Sequence, residues 1–119
     1  MNPRVLISII NWNQYDYTIS CIRSLQALTY DNFEILIVDN NSFNDSVSKI
    51  KKVFPQIAIL PMSTNQGFAH GHQQSVEHAV ENGFDLLWVL NPDLEAAPDS
   101  LSALVAAFAK YPAGIYGSV

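Results

Sequence analysis

Two short polar clusters, Asp39-Asn40-Asn41-Ser42 and Asn91-Pro92-Asp93, each follow an apolar run, Phe33–Val38 and Leu86–Leu90. The Asp39 carboxylate can accept hydrogen bonds from a base imide or a ribose hydroxyl, with Asn41 and Ser42 adding polar contacts. Asp39 or Ser42 can equally order the turn or cap the helix that follows it. Asp93 leaves its run beside a proline that stiffens the chain, and a hard divalent cation takes such an oxygen ligand. Magnesium completes its shell with phosphates and water, so Asp93 suffices when a substrate supplies the rest. An Asn-Pro-Asp turn without metal fits the same residues. Glu95 offers a further carboxylate that nothing local requires.

A third stretch, Asn65-Gln66-Gly67-Phe68-Ala69-His70-Gly71-His72, sets small residues at the mouth of a helix. Glycines there let backbone approach a ligand, and a helix N-terminus favours an anion, although a plain tight loop reads the same way. His70, His72 and His78 lack metal-ligand spacing and read as surface or hydrogen-bonded residues. No G-x-G-x-x-G follows the first apolar run, which argues against a dinucleotide-binding Rossmann site, and no P-loop sequence occurs. The first run also lacks the acidic pair of a phospho-receiver.

The elements that must hold these clusters alternate strand and helix. Val5–Ile10, Phe33–Val38, Ile57–Leu60 and Asp85–Leu90 are expected strands, the third near a sheet edge because Pro61 follows it. The expected helices are Tyr17–Leu28, one capped by Asp45 and stopped by Pro55, one ending near Glu81 with Gly83 as cap, and Asp99–Tyr111. In the second, Val47, Ile50, Val53 and Phe54 should face inward, and Pro98 should open the last one. Such β-α repetition implies a mostly parallel sheet with helices on both faces, where ligands bind beyond the carboxyl ends of the strands. Ile115–Val119 reads as the start of a fifth strand, so the chain is expected to be part of a longer domain whose open sheet edge favours self-association.

The composition narrows the class. A chain of 119 residues with 49% hydrophobic content fits one domain with a real core. Six basic against eleven acidic residues, net −5, argue against nucleic acid as a partner. An acidic protein that binds a nucleotide diphosphate needs local help from backbone N–H groups, a helix N-terminus or a metal ion. Cys21 is the single cysteine and reads as a buried structural thiol, so no disulfide framework exists and a reduced, cytoplasmic protein is the expectation. No apolar stretch approaches a membrane span, and the first one is too short for a signal peptide.

Four ordered segments together resemble the N-terminal part of an inverting family 2 glycosyltransferase of GT-A fold, rhamnosyltransferase-like in flavour. They are Val5-Leu6-Ile7-Ser8-Ile9-Ile10-Asn11-Trp12-Asn13, Ile37-Val38-Asp39-Asn40-Asn41-Ser42, Asn65-Gln66-Gly67-Phe68-Ala69-His70-Gly71 and Leu90-Asn91-Pro92-Asp93. The resemblance implies that residues 1–119 form a single nucleotide-sugar-binding domain. Asp39 would read uracil or thymine with Asn41 nearby, and Asn11, Trp12 and Asn13 would line the nucleoside pocket. Asn65, Gly67, Phe68, Ala69 and Gly71 would pack against base, ribose or donor sugar. Asn91 and Asp93 occupy the ends of the family's D-x-D metal motif, with asparagine at the first position, which leaves Asp93 as the metal ligand for Mn2+ or Mg2+.

The implied reaction moves a sugar from a dTDP- or UDP-linked donor to a glycan or lipid-linked acceptor hydroxyl, with inversion. The implied setting is bacterial surface-polysaccharide assembly, in the cytoplasm or at the inner face of the membrane. No residue here matches the family's general base, so the chain alone is expected to be inactive. A non-catalytic nucleotide-sugar binding module is the alternative. A nucleotidyltransferase ranks last, because residues 11–16 contain neither the glycine nor the basic residue that would hold a triphosphate.

Overall fold

The run Val-Leu-Ile-Ser-Ile-Ile-Asn forms β1 (Val5–Asn11), and all seven of its residues are buried. Such continuous burial is what a central parallel strand requires, since it is covered on both faces. In the computed structural model, which describes residues 2–62 and 68–110, the elements that follow are α1 (Tyr15–Leu25), β2 (Phe33–Asp39), α2 (Ser46–Val53), β3 (Ala58–Pro61), α3 (Phe68–Glu81), β4 (Leu86–Leu90) and α4 (Ser100–Lys110). All described strand pairs are parallel, in the order β3-β2-β1-β4.

Side chains alternate across β1. Val5, Ile7 and Ile9 join Cys21, Ile22 and Leu25 of α1, Ile50 of α2, and Leu101 and Val105 of α4 in one core. Leu6 and Ile10 point to the other face and join Leu36, Val38 and Ala79 of α3. Crossovers from β1 to β2 and β2 to β3 run the same way along the sheet, so right-handedness puts α1 and α2 on one face. The crossover to β4 returns past β1, which places α3 on the opposite face.

The seat of α3 is close. A Cβ added to Gly71 would lie 2.9 Å from Ile10 Cδ1, so the absence of a side chain lets the helix's first turns approach the end of β1. Ser8, fully buried on the same face, donates to the Ser75 hydroxyl, which in turn donates to the Gly71 carbonyl at 3.2 Å. At its far end α3 closes in a Schellman motif: Phe84 N–H reaches Ala79 O at 3.0 Å, Gly83 N–H reaches Val80 O at 3.4 Å, and Gly83 has φ +72°.

Several expectations need correction. Helix α1 starts at Tyr15 and ends at Leu25, because Ala27 and Leu28 donate three residues back and tighten into turns. Asp45 occupies the N-cap position of α2 without a capping bond. Asn44 Oδ1 takes the Ser46 N–H at 3.0 Å and its hydroxyl at 2.6 Å, and Asp45 lies 3.8 Å from Lys49. The buried row of α2 is Ser46, Ile50 and Phe54, four residues apart, which leaves Val53 exposed. Pro61 is the last residue of β3, and β3 is an edge strand as expected. Pro98 and Asp99 form a turn before α4 rather than its first turn. The expected fifth strand lies outside the described residues, as do Asn65 and Gly67. No helix among the described residues is long and apolar enough to cross a membrane.

Replacing Ser75 with Ala should lower the free energy of unfolding by about 1–3 kcal/mol, because the buried Ser8 hydroxyl loses its partner. Ser8→Ala should cost less, since Ser75 keeps the Gly71 carbonyl. In denaturant titrations the double variant should fall well short of the sum of the singles, and simple additivity would disprove the coupling.

Candidate functional site

Because the chain walks from β1 to β3 in one direction and then returns to β4, its topological switch point lies between β1 and β4. The carboxyl ends of β2, β1 and β4 therefore lie side by side, and the loops after them carry the polar clusters. Asn11 pairs in register with Asp39, and Ile9 with Leu90. Asp39 and the Asn91–Asp93 turn thus flank the end of β1, about 10 Å apart at ordinary strand spacing.

On the β2 side a closed hydrogen-bond network surrounds a buried carboxylate. Asp39 is 3% exposed. Its Oδ1 accepts from Asn11 Nδ2 at 2.9 Å and from the Ser42 hydroxyl at 2.7 Å, and its Oδ2 accepts from Ser42 N–H at 3.0 Å. Asn11, itself fully buried, takes the Thr18 hydroxyl on Oδ1 at 2.6 Å and offers Nδ2 to Ser42 Oγ at 3.3 Å. Ser42 Oγ also accepts the Asn13 N–H at 2.9 Å. Asn13 Oδ1 then accepts Phe43 N–H at 3.0 Å and Asn44 N–H at 3.3 Å. Asp39 accordingly orders its turn, and with three of roughly four lone-pair sites occupied the carboxylate keeps room for one more donor.

The turn is bought with backbone strain. Asn13 (φ 56°) and Asn41 (φ 58°) both occupy the left-handed region, which asparagine tolerates better than most residues. The outcome is an outward pair: Trp12, 44% exposed, and Phe43, 84% exposed, meet edge to face with centroids 6.0 Å apart. Phe43 was not among the expected site residues. Its signal was a large apolar residue inside an otherwise polar turn. Asn40, equally unexpected, is 3% exposed, and its Oδ1 has no hydrogen-bond partner among the described residues.

On the β4 side, Leu94 N–H closes a turn onto Asn91 O at 3.1 Å with Pro92 buried inside it. Asn91 and Asp93 are exposed there. Glu95 accepts the Ser20 hydroxyl at 3.1 Å, and Ala96 N–H reaches Ser24 Oγ at 2.9 Å, which ties this loop to α1. Cys21 lies beneath. Burial, helped by the charges of Asp93 and Glu95, pushes its thiol up to about 11. Phe68 and Ala69 open α3, and Gly71 meets Ile10 just before Asn11. No group of three His, Cys, Asp or Glu residues able to hold a metal occurs among the described residues. At the opposite end of the strands a cleft of about 370 Å³ runs past Arg4, Glu34 and Phe84. Its guanidinium is already engaged by Asn82 O and Glu34 and stacks 3.9 Å from the Phe84 ring centre.

Comparison with known proteins decides the family. The chain matches glycosyl transferase family 2 over residues 6–119. It belongs to that family. No curated protein matches it. Among solved structures, the mannosyltransferase PcManGT from Pyrobaculum calidifontis, in complex with GDP-Man and Mn2+, superposes with TM-score 0.77 at 20% identity, over 92% of this chain and 33% of that one. The 1–349 segment of S. aureus TarS in complex with UDP gives TM-score 0.78 at 15% identity, over 98% and 37%. The same segment in complex with UDP-GlcNAc gives 0.78 at 15%, over 98% and 36%. The family 2 chain thus has the GT-A nucleotide-sugar transferase fold and spans about a third of the length of these structures.

Two outcomes follow for this family 2 site. Ser42→Ala removes the hydroxyl donor of Asp39 and the acceptor of Asn13 N–H while keeping the backbone N–H bond to Asp39, and should lower stability by about 1–3 kcal/mol in denaturant titration. The Cys21 thiol should resist alkylation at pH 8 until the chain unfolds. Its folded pKa of about 11 exceeds the ordinary 9.0, so the folded state holds the proton longer and its stability falls as pH climbs from 9 through 11. Thermal unfolding across that range should show a shallower decline in Cys21→Ala than in the parent chain.

Proposed function

We propose that this chain forms the donor half of a glycosyltransferase that moves a sugar, rhamnose by resemblance, from a dTDP- or UDP-linked donor to an acceptor hydroxyl with inversion. The carrying observation is the division of the strand-end edge into a buried, pre-ordered polar network beside Asn11 and an exposed carboxylate at Asp93 across β1. Residues 1–119 act as one nucleotide-sugar-binding domain working in the cytoplasm, and without the acceptor half the chain does not turn over. Neighbours of the same fold hold GDP-Man with Mn2+, UDP and UDP-GlcNAc, which supports a nucleoside-diphosphate ligand. Their bases, guanine and uracil, share an –NH–CO– edge.

In this reading Asn11, Asn13 and Asn41 hold the pocket's shape, Trp12 offers a ring face to the base, and Asp39 accepts a hydrogen bond from the nucleoside. Asn65, Gly67, Phe68, Ala69 and Gly71 bring backbone close to base, ribose or sugar. The donor set beyond β4 suits a hard cation, Mn2+ or Mg2+, because Asp93 and Asn91 present oxygen ligands in the open. Asp93 would hold the ion, with Asn91 beside it. Bound there, the ion supplies Lewis-acid stabilisation to the leaving diphosphate.

Calorimetric titration with dTDP, UDP, GDP and ADP, with and without Mn2+, tests the reading. Binding of a pyrimidine diphosphate that requires Mn2+ is expected, weakened at least tenfold in Asp39→Ala and in Asp93→Ala. A folded chain that takes up none of the four, or variants that bind as well as the parent, would refute it.

A further inference from the structure

We infer that Phe43 is a positioning residue, whose ring holds the Trp12 indole at the tilt from which it receives a nucleoside base. The inference rests on the donor-site reading above, in which Trp12 offers a ring face to the base. Among the described residues Phe43 is the most exposed large apolar side chain, at 84%. Its ring meets Trp12 with centroids 6.0 Å apart and planes at 79°. The turn that carries it closes without that ring. The ordering bonds run through Asn11, Asn13, Asp39 and Ser42, and Phe43 joins them by its backbone, N–H to Asn13 Oδ1 at 3.0 Å. A phenylalanine so exposed removes little apolar surface from water, so the fold gains little from it.

What the ring does is restrain a neighbour. The backbone on either side of Trp12 is pinned, by Asn11 in register with Asp39 and by Asn13, whose N–H reaches Ser42 Oγ at 2.9 Å. The indole itself belongs to neither core cluster and is 44% exposed, and among the described residues the ring that meets it is Phe43. An edge-to-face contact fixes the tilt of the indole and leaves at least one of its faces clear of Phe43. Asn13 sets the spacing of the pair, because it follows Trp12 directly and takes the Phe43 N–H. Ordering the indole before a ligand arrives removes a cost that stacking otherwise carries. A contact of this kind is worth roughly a three- to tenfold change in an equilibrium constant. Every base has a ring face, so the effect is on affinity for nucleoside diphosphates as a class and leaves the choice of base alone.

Calorimetric titration with UDP and with GDP, Mn2+ present, tests this in Phe43→Ala, Phe43→Tyr, Trp12→Ala and the double variant of Phe43→Ala with Trp12→Ala. Phe43→Ala should weaken whichever nucleotides the parent binds by a common factor, roughly three- to tenfold, with an unchanged melting temperature. Phe43→Tyr, which keeps the ring, should bind as the parent does. In the Trp12→Ala background, Phe43→Ala should have no further effect. Without ligand, acrylamide should quench Trp12 fluorescence more readily in Phe43→Ala, with buried Trp88 a common background. Equal quenching in the two chains would overturn the inference. So would a lower melting temperature, which gives Phe43 a structural part, or an equal loss of affinity with and without Trp12, which puts Phe43 on the nucleotide itself. Unchanged affinity in Phe43→Ala of a nucleotide-binding parent would overturn it while leaving the donor reading intact. A parent that binds neither nucleotide would remove the donor reading and this inference with it.

Discussion

A carboxylate taken out of water at the end of a central strand must find donors, and the donors available to Asp39 determine the shape of everything around it. Asn11 supplies one from the neighbouring strand, and Ser42 supplies two by folding its backbone and hydroxyl back over the carboxylate. That return is possible only if the chain reverses at Asn41 in the left-handed region. The Ser42 hydroxyl, once donated to Asp39, has its lone pairs turned toward Asn13 N–H, and Asn13 too adopts a positive φ. Two strained residues, two loops and two strand ends are therefore satisfied together or not at all. The exposed Trp12 and Phe43 are presented by this network.

The same network explains what could be read from residues alone. The continuous apolar runs of β1, β2 and β4, flanked by helical stripes, reveal a parallel sheet because burial on both faces leaves no polar alternation. Asp39 and Asp93 were legible as strand-end carboxylates for the same reason. The order β3-β2-β1-β4 was not legible, since local pattern says which segments are strands and little about which lie adjacent. Val53 was placed wrongly because a branched apolar residue at helical spacing looks inward until the short α2 shows a row of only Ser46, Ile50 and Phe54. Asn40 and Phe43 escaped notice for opposite reasons. An asparagine in a polar turn looks solvated, and a phenylalanine looks buried.

Packing beneath the site carries the geometry to the other face. Gly71 lets α3 settle on Ile10, and the Ser8–Ser75 contact fixes where along β1 the helix sits. Ile10 immediately precedes Asn11, so the helix that approaches from the α3 face touches the strand one residue before the network begins. A side chain at Gly71 would push on Ile10, and Ile10 is continuous with the residue that holds Asp39. The glycine's importance to the strand-end network and its importance to the core are thus one constraint.

The two carboxylates of this edge end up with different physical duties. Asp39 is buried and bonded three times within the chain, so its charge is mostly used in holding loops in place. Asp93 is exposed on a proline-stiffened turn whose neighbour Glu95 is tied to α1, so its position is fixed while its oxygens remain open. Loss of Asp39 would act through the shape of the pocket as much as through any contact it makes. Loss of Asp93 would leave that shape alone, because no hydrogen bond of the network passes through it. One carboxylate is thus committed to structure and the other left open, with asparagine at position 91 in place of an acidic pair at the end of β4.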